Sequence, residues 1–339
     1  MKTTLWRRAR ILLSALAVVS PISAFADVNV YSYRQSFLIE PIFDAFTEGT
    51  GIKVNSVFAK QGLVERLQNE GRNSPADLLL TTDSGPLYQA VDQGLTQAVQ
   101  SDVLTANIPA EFRDTDGHWF GLSSRARLIV AAKGRVDLST IQNYEDLAKP
   151  EFKSRVCTRS GKHSYMVALN ASMIAHHGID EATLWLSDVK QNLARKPQGN
   201  DRAQVKAIKQ GECDVAIINS YYMGAMAADE EQKQWADSVN IIFPNQSDRG
   251  THMNISGVSL TAGAPNRSDA IKLIEFMSSN TAQRIYAETN YEYPVKADVA
   301  RSALVQSWGD FKPDTLPLEN IAKHRADAVK IADKVGYDQ

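Results

Sequence analysis

Apolar and polar positions along the chain repeat with two periods, one near two and one near 3.6 residues. Residues 28–31 read as a short strand, and residues 37–46 place Leu38, Ile42, Ala45 and Phe46 on one helix face that ends before Gly49. Residues 52–58 alternate as a strand and 62–70 form a short helix. Residues 76–82 are a continuous apolar run, the pattern of a strand covered on both faces. Asp83-Ser84 can cap the next helix, with Pro86 in its first turn and Gly94 just past its end. This β-α-β-α-β-α order predicts a parallel sheet with helices on both faces.

Further along, 119–122 and 127–132 read as two strands, the second carrying the chain into a second lobe. A helical turn at 144–147 and a strand at 155–158 lead into the polar loop Arg159-Ser160-Gly161-Lys162-His163-Ser164-Tyr165. A helix over 166–177 follows, stopped by Gly178, then helices over 183–193 and 201–210. The buried-looking strand 214–218 runs into Asn219-Ser220-Tyr221-Tyr222. A strand at 255–260 returns the chain to the first lobe, followed by helices over 268–278, with Ser268 as N-cap, and 281–288. Residues 318–335 form a helix on the outside of a lobe. Tyr165 and the Tyr221-Tyr222 pair thus hold equivalent places, each after a strand and near a helix start, and the two strands neighbour each other. In open α/β sheets ligands bind at such strand ends.

Residues 1–26 read as a secretory signal: Lys2, Arg7, Arg8 and Arg10, a short apolar core over 11–19, and the small-x-small site Ala24-Phe25-Ala26. That core is too short to span a bilayer. The expected product is a soluble periplasmic protein. The chain carries 37 Lys+Arg and 39 Asp+Glu, and the leader takes four of the basic residues, so the remainder has a net charge of −6. Such a balance argues against nucleic acid or an anionic membrane as partner. A chain of 339 residues buries a large core and divides into two domains. Cys157 and Cys213 are its two cysteines. An even count and export favour a disulfide over two free buried thiols.

The tyrosines carry the candidate chemistry. A phenol with a pKa of about 10 is a poor ligand until a cation stabilises its anion, and small, hard, highly charged Fe³⁺ gains most from phenolate. The plainer alternative is aromatic packing under a helix. His176-His177 ends a helix, where protonated histidines complement the dipole, so it reads as structural. His163 and Tyr33 could approach the site; Tyr291 and Tyr293 read as core or hinge residues. No Cys/His spacing suggests zinc, and no nucleophile–base pair suggests an enzyme.

The stretches Val30-Tyr31-Ser32-Tyr33-Arg34, Ala76-Asp77-Leu78-Leu79-Leu80, Ser124-Arg125-Ala126-Arg127, Arg159-Ser160-Gly161, Ile218-Asn219-Ser220-Tyr221-Tyr222 and Asn254-Ile255-Ser256-Gly257 resemble the periplasmic ferric-ion-binding proteins of ABC transporters. The resemblance spans the chain beyond the leader. It implies an α/β, two-lobed type II periplasmic binding protein fold, each lobe a mainly parallel sheet flanked by helices, with the ligand cleft between lobes. Lobe 1 would comprise residues 27–125 with 255–295 returning to it. Lobe 2 would comprise 126–254 with 296–339 packing on it. The resemblance also implies Tyr165, Tyr221 and Tyr222 as iron ligands, and ferric iron and an inner-membrane permease as partners, with the protein a monomer and not an enzyme. Many relatives add a His and a Tyr after the Tyr-Ser-x-Arg segment; here those places hold Gln35 and Ser36. Fe³⁺ with three phenolates is neutral and short of six ligands, so a bidentate anion such as carbonate is expected. Arg125 is the first candidate to hold it, with Arg34 and Arg127 behind, because a guanidinium matches a planar oxyanion. Gln35 is a candidate for anion contact or cleft closure. A scaffold binding an organic or anionic solute is the alternative.

Overall fold

The structure, a computed structural model, describes residues 27–339. The signal segment expected at 1–26 lies outside the described residues. Strand β1 (Val28–Ser32) leads to helix α1 (Ser36–Thr50), β2 (Val54–Phe58), α2 (Leu63–Glu70), β3 (Leu78–Thr81), α3 (Ser84–Asp92) and α4 (Asp102–Asn107). Then come β4 (Phe120–Ala132), β5 (Val156–Cys157), α5 (Ser164–His177), α6 (Ile179–Gln191), α7 (Asp201–Gln210), β6 (Val215–Asn219) and α8 (Ser220–Ala227). The chain continues through α9 (Lys233–Ala236), β7 (Val239–Ile242), β8 (Met253–Leu260), α10 (Arg267–Met277), α11 (Asn280–Glu288) and β9 (Tyr293–Pro294). It ends with α12 (Ala303–Gln306), α13 (Leu318–Lys323) and α14 (Arg325–Lys334).

The strand order is β2-β1-β3-β8-β4-β6-β5, with β7 and β9 also on β4. The parallel pairs expected from the β-α-β order are present: β1 with β2 and β3, and β5 with β6. β4 runs antiparallel to β6, β7, β8 and β9, so each sheet is mixed. The cause is the crossing between lobes, made once outward on β4 and once back on β8.

β4 fuses the two strands expected at 119–122 and 127–132. Its middle, Ser123-Ser124-Arg125-Ala126, reads as a polar break, yet all 13 residues are buried. Burial is tolerated because the polar groups are paired. Ser123 donates to Glu292, and Arg125 to Ser256 and the Ile255 carbonyl. The first part of β4 pairs with β8 and β9; the last part pairs with β6 and β7.

Around the first part lies a core of Val30, Ile42, Phe46, Leu80, Leu122, Val258, Leu273 and Tyr286, drawn from β1, α1, β3, β8, α10 and α11 as well. Around the second part lies a core of Ile129, Leu169, Trp185 and Ile217, which α13 and α14 join through Ile321, Ala328 and Ile331. Several details differ from expectation, among them the start of the helix expected at 183–193, which begins at Ile179. α1 runs through Gly49 to Thr50 and stops at Gly51, whose left-handed backbone donates to the Thr47 carbonyl. Asn266, not Ser268, stands at the cap position of α10. The C-terminal helix is broken at His324. The short strand β7 has no counterpart in the sequence pattern.

Candidate functional site

Each tyrosine is presented by a strand-to-helix junction. β6 is fully buried, and it delivers Tyr221 and Tyr222 into the first turn of α8. β5 lies parallel to it, Val156 against Val215. Beyond β5 a five-residue loop reaches His163, the N-cap of α5, and Tyr165 in its first turn. The Cys157–Cys213 disulfide, with Cα atoms 6.0 Å apart, joins the two neighbouring strand segments. The chain's tail braces the loop. Ser160 Oγ and Gly161 N donate to Asp338 at 2.8 and 3.0 Å, and a Cβ at Gly161 would meet the Tyr337 ring at 2.8 Å.

Tyr165 Oη lies 3.2 Å from Tyr221 Oη, and the Tyr221 and Tyr222 rings stack at 4.2 Å. Burial pushes the Tyr221 phenol well up from its ordinary value, helped by Tyr165 and Tyr222. Burial also pushes Tyr222 up to about 12, with Tyr165 and Asp201 adding to it. So raised, the Tyr221 and Tyr222 phenols are neutral at neutral pH.

Guanidinium groups surround them. Arg159, Arg125 and Arg127 lie 5.2, 5.7 and 5.8 Å from the Tyr165 ring centre, and Arg202 lies 5.8 Å from that of Tyr222. Arg127 Nη1 binds Asp201 Oδ2 at 3.1 Å and Asn219 Oδ1 at 3.1 Å. Arg159 Nη1 binds the other oxygen of Asp201 at 3.2 Å. Asp201 also accepts from the Asn219 backbone at 2.8 Å, so one fully buried carboxylate ties β4, the Tyr165 loop and the Tyr221 junction together. Arg125 is 1% exposed and bonds only neutral acceptors, Ser256 Oγ at 2.8 Å and the Ile255 carbonyl at 3.2 Å.

The other candidates are placed differently. Arg34 is closed into a buried bidentate pair with Glu292, at 3.1 and 3.0 Å, and also donates to Ser256. Gln35 is exposed at the cap position of α1 and makes no capping hydrogen bond. Tyr33 Oη accepts from the Leu63 and Val64 amides at the start of α2. His163 Nε2 takes Arg159 Nη2 at 2.6 Å while Nδ1 faces the Tyr165 amide at 3.2 Å. Burial first, then Arg159, lowers this imidazole to about 4, so it is neutral and only one of its two ring nitrogens accepts. His176 and His177 pair with Asp314 and Glu145. Tyr291 packs against Gly224 of α8, where any Cβ would meet it at 2.3 Å. Tyr293 lies edge-on to Phe311 and beneath Arg301.

Sequence reasoning missed Asp201 and Glu292. Asp201 at a helix start reads as a solvated first turn, and nothing local signals the burial of Glu292 in the link before β9. Among the described residues no three His, Cys, Asp or Glu side chains converge as a metal site. A separate cavity of roughly 1240 Å³, bordered by Trp119, His252, Tyr293 and Arg325, includes none of the three tyrosines.

Residues 73–311 match the family of bacterial extracellular solute-binding proteins. The chain is 43% identical to iron uptake protein A1 of Synechocystis, over 92% of this chain and 87% of that protein. Apo ferric ion-binding protein A of Pasteurella haemolytica superposes with a TM-score of 0.89 at 53% identity, covering 92% of this chain and 98% of that one. A Trichodesmium protein in complex with iron and citrate superposes with a TM-score of 0.86 at 40% identity, covering 92% and 100%. These are two-lobed type II periplasmic binding proteins, and on this match the chain belongs to the bacterial extracellular solute-binding protein family.

Proposed function

We propose that this protein captures ferric iron in the periplasm through the phenolates of Tyr165, Tyr221 and Tyr222 and delivers it to an inner-membrane ABC permease. The observation that carries this reading is the 3.2 Å approach of Tyr165 Oη to Tyr221 Oη, beside the stacked Tyr222 and within a ring of guanidiniums. The iron-related names of the relatives and neighbours support it. In this reading the protein is a monomeric carrier and not an enzyme. The lobes divide as 27–125 with 255–295, and 126–254 with 296–339, and the iron enters from the cleft between them.

Binding exchanges three phenolic protons for one Fe³⁺, so the buried site gains no net charge. A carbonate completes the coordination and pairs with Arg125, whose guanidinium has only neutral partners. Arg34 and Arg127 are held by carboxylates and act indirectly. Because protons compete with iron for each phenolate, acidification releases the metal.

The test is Tyr→Phe at 165, 221 and 222, singly, followed by ferric titration in hydrogencarbonate. Each change keeps the ring and removes one anionic donor, so each weakens binding severely with the fold intact. If the tyrosines instead line a pocket for an organic solute, Phe substitutes well. Three variants that all bind ferric iron like the parent would show that the site lies elsewhere.

A further inference from the structure

We propose that Asp201 sets the charge of the anion that binds together with the iron. The inference rests on the ferric reading above and goes beyond it to a residue outside the ligand set. Three buried or half-buried guanidiniums, of Arg125, Arg127 and Arg159, lie within 6 Å of the Tyr165 ring. Two of them share the two oxygens of Asp201, and Arg125 has no carboxylate. These four residues together carry two net positive charges.

Their neighbours change this count little. Arg34 and Glu292 form a closed pair and cancel. Arg202 lies 5.8 Å from the Tyr222 ring centre and is half-buried, so solvent weakens its field. Fe³⁺ with three phenolates is neutral. The charge left for a co-bound anion to neutralise is therefore that of the arginine–aspartate cluster, which matches a dianion such as carbonate or oxalate. In a site this buried an unmatched charge is costly, so a mismatch of one unit discriminates strongly between anions. Removing the Asp201 charge leaves three net positive charges and favours a trianion. Removing one guanidinium leaves one and disfavours any multivalent anion.

The test uses the exported protein loaded with ferric iron at pH 8 with one anion at a time: hydrogencarbonate, oxalate or citrate. The anion concentration that half-forms the visible phenolate-to-iron band is recorded for the parent, Asp201→Asn, Asp201→Glu and Arg159→Gln. The ratio of citrate to oxalate, compared with the parent's, removes the different size and iron affinity of the two anions. We expect Asp201→Asn to shift this ratio toward citrate by about tenfold or more and Asp201→Glu to keep the parent's order. Arg159→Gln should shift it toward oxalate, which keeps the proposal testable if Asp201→Asn does not fold. A purely structural role for Asp201 would weaken all anions alike. An unchanged ratio in the folded variants overturns the proposal. A parent that develops no band with any anion would instead refute the ferric reading on which it stands.

Discussion

Tyr165 Oη and Tyr221 Oη lie 3.2 Å apart although 56 residues separate them in the chain. The contact follows from two junctions of the same kind. β5 and β6 run side by side in parallel, so their ends open on the same edge, and each is followed by a helix whose first turn carries a tyrosine. The disulfide between Cys157 and Cys213 fixes these strands a few residues before the tyrosines.

That disulfide should therefore stabilise the lobe that presents all three phenols. Replacing both cysteines by alanine is expected to lower stability by about 2–4 kcal/mol, read as a drop in the urea midpoint. Thiol titration of the denatured, unreduced parent should find no free thiol. Two reactive thiols, or an unchanged midpoint, would count against this role.

Tyr33 is expected to matter for stability and not for iron. Its phenol accepts two amides at the start of α2, where Gly62 at the cap position has no side chain to offer. Tyr33→Phe should cost about 1 kcal/mol in chemical denaturation and leave ferric affinity unchanged. A large loss of affinity would place Tyr33 in the site.

His252 should make the protein acid-sensitive. It is buried and neither ring nitrogen has a partner. Burial first, then the Arg127 charge, lowers it to about 3, against an ordinary value of about 6.5. A histidine depressed on folding contributes stability in full above its unfolded pKa. That contribution is lost as pH falls from about 6.5 toward 3, because the unfolded chain takes up the proton first. The metal-free protein should weaken across this window, and His252→Gln should flatten the slope. Equal slopes in parent and variant would contradict the assignment.

Arg325 links the C-terminal helices to the first lobe. It begins α14, which packs in the second core through Ala328, Ile331 and Ala332, yet it reaches Asp83, the N-cap of α3, at 3.2 Å. Gly85 makes room, since a Cβ there would meet the guanidinium at 2.1 Å. Arg325→Met removes the cation beside the Asp83 carboxylate, which still accepts from Gly85, a loss of about 1–3 kcal/mol. It should also broaden the interlobe distance distribution between spin labels on the two lobes. Unchanged stability and an unchanged distribution would show that the pair is incidental.

Much of this was legible in the sequence because periodicity and capping are local. The strands around Leu78–Leu80 and Val215–Ile218, the Asp83 cap and both tyrosine junctions could be read directly. The middle of β4 could not, because its serines and arginines look solvated until Glu292, Ser256 and Asp201 arrive from distant parts of the chain. The same blindness applied to Arg34. Its sequence neighbourhood suits an anion, but Glu292, 258 residues away, already occupies it. Pairing across such distances leaves no local pattern.

The most direct test of the central claim is metal content together with the visible spectrum of the purified protein after ferric loading in hydrogencarbonate. One iron per chain is expected, with a phenolate-to-iron charge-transfer band that gives a reddish colour. Tyr221→Phe, still folded by circular dichroism, should lose most of both. A colourless parent without bound iron, or a folded Tyr221→Phe protein with the parent's iron content and band, would contradict the account.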